Sequence, residues 1–254
     1  MDLLSGFADI SLLQLALVAG FALFVSVVGG VTGYGSSALM PLVLVPLIGA
    51  EPVVPILSIS GLLINFSRVI AFLRFAGWKI ALIMLPTALP ACVLGAYGYT
   101  MLTSAGVMIA IGAVLCISVP FRRMLLHFDI RMGSRGLAAG SAGYGFLAGG
   151  TAGSGVILLS LLMAAGLGGA AVVATDAVVS VAIGATKIMV FGVSGVVTGQ
   201  VIAFGLLIGL VALPGAFLAR ALVEALPVHV HTGILDAIVI VGGAAMIVGA
   251  FAGR

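Results

Sequence analysis

The chain has 254 residues, 63% of them hydrophobic and 7% charged, with a formal net charge of +3. A soluble domain carries about 25% charged residues, so too little polar surface is present to coat a water-soluble globule, and so small a positive charge calls for no nucleic-acid partner. A protein integrated in the lipid bilayer remains.

The residues before the first apolar run carry Asp2 and Asp9 and no basic side chain. A secretory leader needs a positive start, so the first run reads as part of the fold. Apolar runs follow at 11–28, 36–48, 53–73, 79–98 and 104–120. The one long polar stretch, "FRRMLLHFDIRMGSR" at 121–135, interrupts them. Five more runs cover 136–148, 154–166, 170–192, 197–222 and 231–251. The runs are continuous, without the ten-residue alternation of barrel strands, and predict helices. Three runs (36–48, 136–148 and 154–166) fall short of the roughly 20 residues a full span needs. They predict re-entrant hairpins or broken helices, which a bilayer tolerates only where protein or a wet cavity surrounds the backbone.

The two halves resemble each other. Setting Gly29 on Gly149 also matches Gly30 with Gly150, Gly33 with Gly153 and Gly35 with Gly155. One residue out of that register, "SRVIAF" (67–72) meets "TKIMVF" (186–191), and further on "ALPACVLGA" (88–96) meets "ALPGAFLAR" (212–220). Such matches in one order predict a duplicated unit, 11–120 and 136–251, joined by the linker 121–135. Five segments per unit, an odd number, turn the second copy upside down. The expected fold is therefore all-α and polytopic, with two inverted repeats of five segments. Arg122, Arg123, Arg131 and Arg135 put the linker in the cytoplasm and the N-terminus outside by the positive-inside rule.

The repeated glycine segments, "GGVTGYGSSAL" (29–39) and "GGTAGSGVIL" (149–158), each precede a short apolar run. A helix that begins at a buried break leaves amide N–H groups without partners and points about half a positive charge at the centre. Gly33, Gly35, Gly153 and Gly155 would let a ligand approach the backbone. Ser36, Ser37, Thr151 and Ser154 offer hydroxyl donors. The expected ligand is an anion; the alternative is close helix packing, for which membrane proteins also use glycine. Arg68 and Lys187 occupy matched repeat positions, with Asn65 one turn before Arg68. A cation inside a span marks a pathway or a partner, unless it snorkels to the interface. Asp176, whose repeat counterparts Ile56 and Leu57 are apolar, is a candidate proton carrier, since burial penalises a charged carboxyl; a salt bridge or a helix cap is the other reading.

Other polar groups read as structural. Cys92 and Cys116 have no metal spacing and are expected as small core residues. His229 and His231 point to different sides of a helix, and His127 lies in the linker, so neither a metal site nor a cofactor is expected. Pro41, Pro46, Pro90 and Pro214 are expected to bend or end helices, and Asp236 to cap one. No zincin, hydrolase or phosphate-loop motif is present, and an enzyme is not expected.

"GGVTGYGSSALMPLVL", "AGYGFLAGGTAGSGVILLSLLMAAGL" and the basic central loop together resemble the TauE/SafE family, the sulfite-exporter-like permeases, over residues 11–251. The resemblance implies a bacterial inner-membrane carrier of sulfur oxyanions or small organosulfonates, with members often regarded as exporters. Carried over by position, it implies substrate contact at the two glycine segments, Tyr34 included, and leaves Asn65, Arg68 and Lys187 to the electrostatic reading. It leaves a homodimer open. An anion channel and a membrane assembly subunit without transport activity are the alternatives.

Overall fold

In the computed structural model, backbone is described for residues 7, 10–32, 35–127, 131–223 and 228–252, and side chains for 7, 10–27, 38–124, 131–215 and 239–252. Among the described residues the chain is all-helical. It forms α1 (Leu12–Thr32), α2 (Gly35–Ile48), α3 (Val53–Phe72), α4 (Trp78–Thr100), α5 (Ser104–His127), α6 (Ser134–Gly150), α7 (Gly155–Ala164), α8 (Ala170–Val193), α9 (Gly199–Val223) and α10 (Val228–Ala252), with a 3-10 turn at Leu73–Phe75. Each apolar run of the sequence became one helix, because a bilayer leaves backbone polar groups no partner but the helix itself. Among the described residues, four stretches are long and apolar enough to cross a bilayer: Val53–Phe75, Trp78–Thr100, Ser104–Met124 and Ala170–Val193. Leu82, Leu94, Ile117, Met189 and Val193 on these spans are exposed, as lipid-facing side chains are. The protein is a polytopic helical membrane protein.

The short segments are short in the structure too. α2 has 14 residues and α7 has 10; at 1.5 Å per residue neither covers a hydrocarbon core of about 30 Å. α6 reaches 17 residues, further than its apolar run, because it starts at Ser134 and continues through Gly149 and Gly150. The polar stretch 121–135 is no simple loop either: α5 carries it as helix to His127, and Arg122 is buried. Pro41, Pro46, Pro90 and Pro214 lie inside helices and end none of them. Cys92 is buried and Cys116 half-buried, both as free thiols. The side chains of His127, His229, His231 and Asp236 lie outside the described residues.

The helices pack in a crossed pattern. α4 lies on α6 and α1 on α9; α3 touches α8 and α9, while α8 also touches α4; α5 packs on α10, α7 on α5 and α2 on α10. Two apolar clusters result. The first joins α1, α2, α3 and α9 around Leu44, Ile56 and Phe204. The second joins α4, α6, α7 and α8 around Met84, Leu158 and Leu162.

The α4–α6 contact is backbone on backbone. A Cβ at Gly145 would strike the Ala88 carbonyl, one at Gly149 the Cys92 carbonyl and the Ala96 amide, and one at Gly95 the Phe146 carbonyl. Between apolar helices in lipid, such close van der Waals contact supplies the attraction. Gly149, which the sequence groups with the glycine tip, therefore serves helix contact. Gly149→Val must force the two backbones apart, and overpacking of this kind costs about 1–3 kcal/mol. Thermal unfolding in detergent should show a lowered Tm for Gly149→Val and little change for Gly143→Val on the same helix, where nothing lies within 4 Å of an added Cβ.

Candidate functional site

Arg68 sits near the end of α3, one turn after Asn65. The Asn65 amide donates to the Gly61 carbonyl at 2.9 Å, which turns its Oδ1 toward Arg68 Nη1 at 3.4 Å. The same Nη1 reaches Asp176 Oδ2 on α8, also at 3.4 Å. Both side chains are largely buried, with 14% and 5% exposure. The salt bridge offered by the sequence for Asp176 is present in the structure. The neighbouring Thr175 hydroxyl accepts a 2.8 Å bond from the Gly77 amide, which fixes this part of α8 against the turn before α4.

Lys187 lies three turns further along α8 and is buried at 8% exposure. Its Nζ donates to the Thr151 carbonyl at 3.5 Å. The ammonium is held among helices, so it does not snorkel to an interface. The Thr151 hydroxyl, expected as a ligand donor, already donates to the Leu147 carbonyl at 2.9 Å, and its oxygen is left as an acceptor.

Thr151 to Ser154 is an irregular link between α6 and α7. Gly153 adopts φ +86°, a conformation that favours glycine, and a Cβ there would also lie 2.5 Å from Leu115 Cδ2 and 3.8 Å from the Ala38 Cα. Its lack of a side chain thus has a backbone cause and a packing cause. Ser154 precedes α7 with no side-chain capping bond. The first bonds of α7 run from the Ile157 and Leu158 amides to the Ser154 carbonyl. The amides of Ser154, Gly155 and Val156, which precede these, have no backbone partner among the described residues, as at any helix start.

Two adjoining cavities collect these groups. One, of about 100 Å³, is lined by Asn65, Arg68, Gly155, Asp176 and Ser180, with Met40 of α2. The other, of about 120 Å³, is lined by Asn65, Tyr144, Thr151, Gly153, Ser154 and Lys187 among others. Leu57, Gly61, Asn65, Gly155 and Ser180 border both, so the two form one chamber with two lobes. A water needs roughly 10–15 Å³ by this measure, so either lobe has room for several waters or for a small polyoxygen anion.

The structure thus brings together Asn65, Arg68, Thr151, Gly153, Ser154, Gly155, Asp176 and Lys187, which lie far apart in sequence. For the first glycine segment, Gly33 and Tyr34 lie outside the described residues, as do the side chains of Ser36 and Ser37. The backbone of Gly35 opens α2, and the next described side chains, Ala38 to Met40, are buried. The sequence reading missed Tyr144 and Ser180. Ser180 was findable, being one turn beyond Asp176 and so on the same helix face; Tyr144 had no signal, since its position depends on how α6 packs.

Family models supply a comparison independent of this geometry. A model described as "Sulfite exporter TauE/SafE" matches residues 18–248. The chain belongs to the TauE/SafE sulfite exporter family. The match spans all the helices that line the chamber, and the TauE/SafE assignment makes the protein a multi-pass membrane transporter of a family named for sulfite export. No curated protein and no solved structure matches the chain.

Proposed function

We propose that this TauE/SafE protein carries a sulfite-like or small organosulfonate anion across the bacterial inner membrane, outward, with the anion held in the two-lobed chamber. The observation that carries the reading is the convergence of the α7 start, Lys187 and Arg68 on one buried space. An open helix N-terminus and two cations offer amide and charge-assisted donors to several oxygens at once. The donors sit in a low-dielectric interior, where each contributes more than in water. The sulfonate group has the tetrahedral oxygens to accept them.

Alternating access follows from the duplicated architecture. Exchanging α1–α5 with α6–α10 turns the α1–α9 contact into α6–α4, α3–α9 into α8–α4, and α2–α10 into α7–α5; α3–α8 and α5–α10 map onto themselves. This correspondence supports two inverted units, 11–120 and 136–251, that rock about a shared site. The linker 121–135 lies in the cytoplasm and the N-terminus outside. A monoanion moving outward down an inside-negative potential gains about 2.3 kcal/mol per 100 mV, so export needs no symported ion. Chamber volumes suited to one small anion favour a carrier over a channel.

The test is a thermal-shift series on purified protein with isethionate, sulfite and taurine, followed by exchange of labelled sulfonate in proteoliposomes. Isethionate and sulfite are expected to raise the Tm, and taurine, whose ammonium offsets its sulfonate, to raise it less. Exchange is expected to saturate. Unitary currents in a planar bilayer would replace the carrier by a channel, and no stabilisation by any of these anions would remove the anion site.

A further inference from the structure

Among the described residues lining the chamber, the formally charged side chains are Arg68, Lys187 and Asp176. The two cations are not equivalent, although they occupy matched repeat positions. Arg68 is paired with Asp176. Lys187 has a carbonyl for a partner and no carboxylate. The first glycine segment, 28–37, contributes no charged residue to the count, since its sequence has none. Among the described residues the chamber thus carries one net positive charge, and its position is Lys187.

From this count we infer that the chamber is a monoanion site, and that a dianion enters it only together with one proton, which Asp176 receives. The inference rests on the anion-site reading above. A monoanion beside Lys187 brings the buried charge to zero while the Arg68–Asp176 pair stays intact. A dianion leaves one uncompensated negative charge in a low-dielectric space, where such a charge is costly. Protonating Asp176 removes that excess and frees Arg68 to face the second negative charge. The proton comes from the aqueous phase that supplies the anion, and it leaves when the dianion does. The pairing geometry allows this exchange: Arg68 Nη1 bridges Asn65 and Asp176 at 3.4 Å on either side, and Arg68, Asp176 and Asn65 border the lobe next to Gly155.

Among the described residues, the other titratable groups near the trio do not disturb the count. Tyr144 from α6 faces Asp176, and Cys92 from α4 lies near Lys187; phenol and thiol are both uncharged in their ordinary forms. α7 has no titratable side chain. In the 3-10 turn against α8, Arg74 is stacked on its neighbour Phe75. The sulfite-type substrate itself titrates between a monoanion and a dianion, so the rule states which form the protein takes without a proton.

The experiment uses methanesulfonate and sulfate, whose own charges stay fixed across the mildly acidic to mildly alkaline range. Binding to the purified full chain is measured by calorimetry in buffers of different ionisation enthalpy, which counts protons. Wild-type protein is expected to take up one proton per sulfate and none per methanesulfonate. Near neutral pH, sulfate binding should weaken about tenfold for each unit rise in pH, while methanesulfonate binding stays level. Asp176→Asn should abolish proton uptake and raise the sulfate-to-methanesulfonate affinity ratio by about tenfold or more at alkaline pH. The double variant Arg68→Gln/Asp176→Asn restores one net positive charge and should return the ratio toward its wild-type alkaline value. Binding of both anions with no proton uptake, or with a ratio untouched by Asp176→Asn, overturns the charge rule alone. Absence of any anion binding to wild-type protein overturns the anion site and the rule with it. The proton count on wild-type protein decides the matter even if a variant fails to fold.

Discussion

Lys187→Gln is expected to weaken anion binding by about a hundredfold while leaving a folded protein. Two unit charges 4 Å apart interact by about 4 kcal/mol at an effective dielectric of 20, and part of that is offset by desolvating the anion. About 2.7 kcal/mol surviving corresponds to a factor of about one hundred. Lys187 is the natural target because no carboxylate among the described residues competes for it, while Arg68 already holds Asp176. Gln keeps a donor for the Thr151 carbonyl and removes a buried ammonium, so the fold should lose little. Calorimetric titration with isethionate checks the affinity, and thermal unfolding without ligand checks the fold. Wild-type affinity in a folded Lys187→Gln protein would take Lys187 out of the site.

Arg68→Met is expected to act mainly on stability. It leaves the Asp176 carboxylate buried without its cation, and breaking a buried pair from one side costs about 3–5 kcal/mol. Removing both charges, in Arg68→Met/Asp176→Asn, should recover most of that loss, because a neutral amide can be accommodated where a lone charge cannot. A double-mutant cycle followed by thermal unfolding in detergent reads the coupling. Additive losses in the two single variants would mean that the 3.4 Å contact contributes nothing. The pair also joins α3 to α8, the helices at matched positions of the two units, so its loss should loosen the contact on which the chamber's shape depends.

Much of this was legible in the chain itself. Among the described residues each apolar run lies in a helix because a bilayer rewards internal hydrogen bonding and nothing else, and run length predicted short α2, α6 and α7, of which α6 extends beyond its run to 17 residues. Matched glycines, "SRVIAF" against "TKIMVF" and the paired prolines are the sequence ground for proposing a duplication. Arg68, Lys187 and Asp176 stood out because a charge inside a span needs a reason. What each charge does in the fold was not legible. That Arg68 faces Asp176 across 108 positions, that Lys187 turns to the link before α7, and that Tyr144 and Ser180 complete the wall depend on how α3, α6 and α8 cross.

The glycines divide along the same line. Sequence identified Gly149 and Gly153 as one tip. Packing separated them, giving Gly149 to the α4–α6 contact and Gly153 to a left-handed turn against Leu115. Local pattern alone determined that the protein is helical and membrane-embedded, because hydrophobicity and backbone satisfaction are properties of each segment. Only the tertiary structure decided which cation meets a carboxylate and which meets a backbone carbonyl, because charge compensation is a property of neighbours in space.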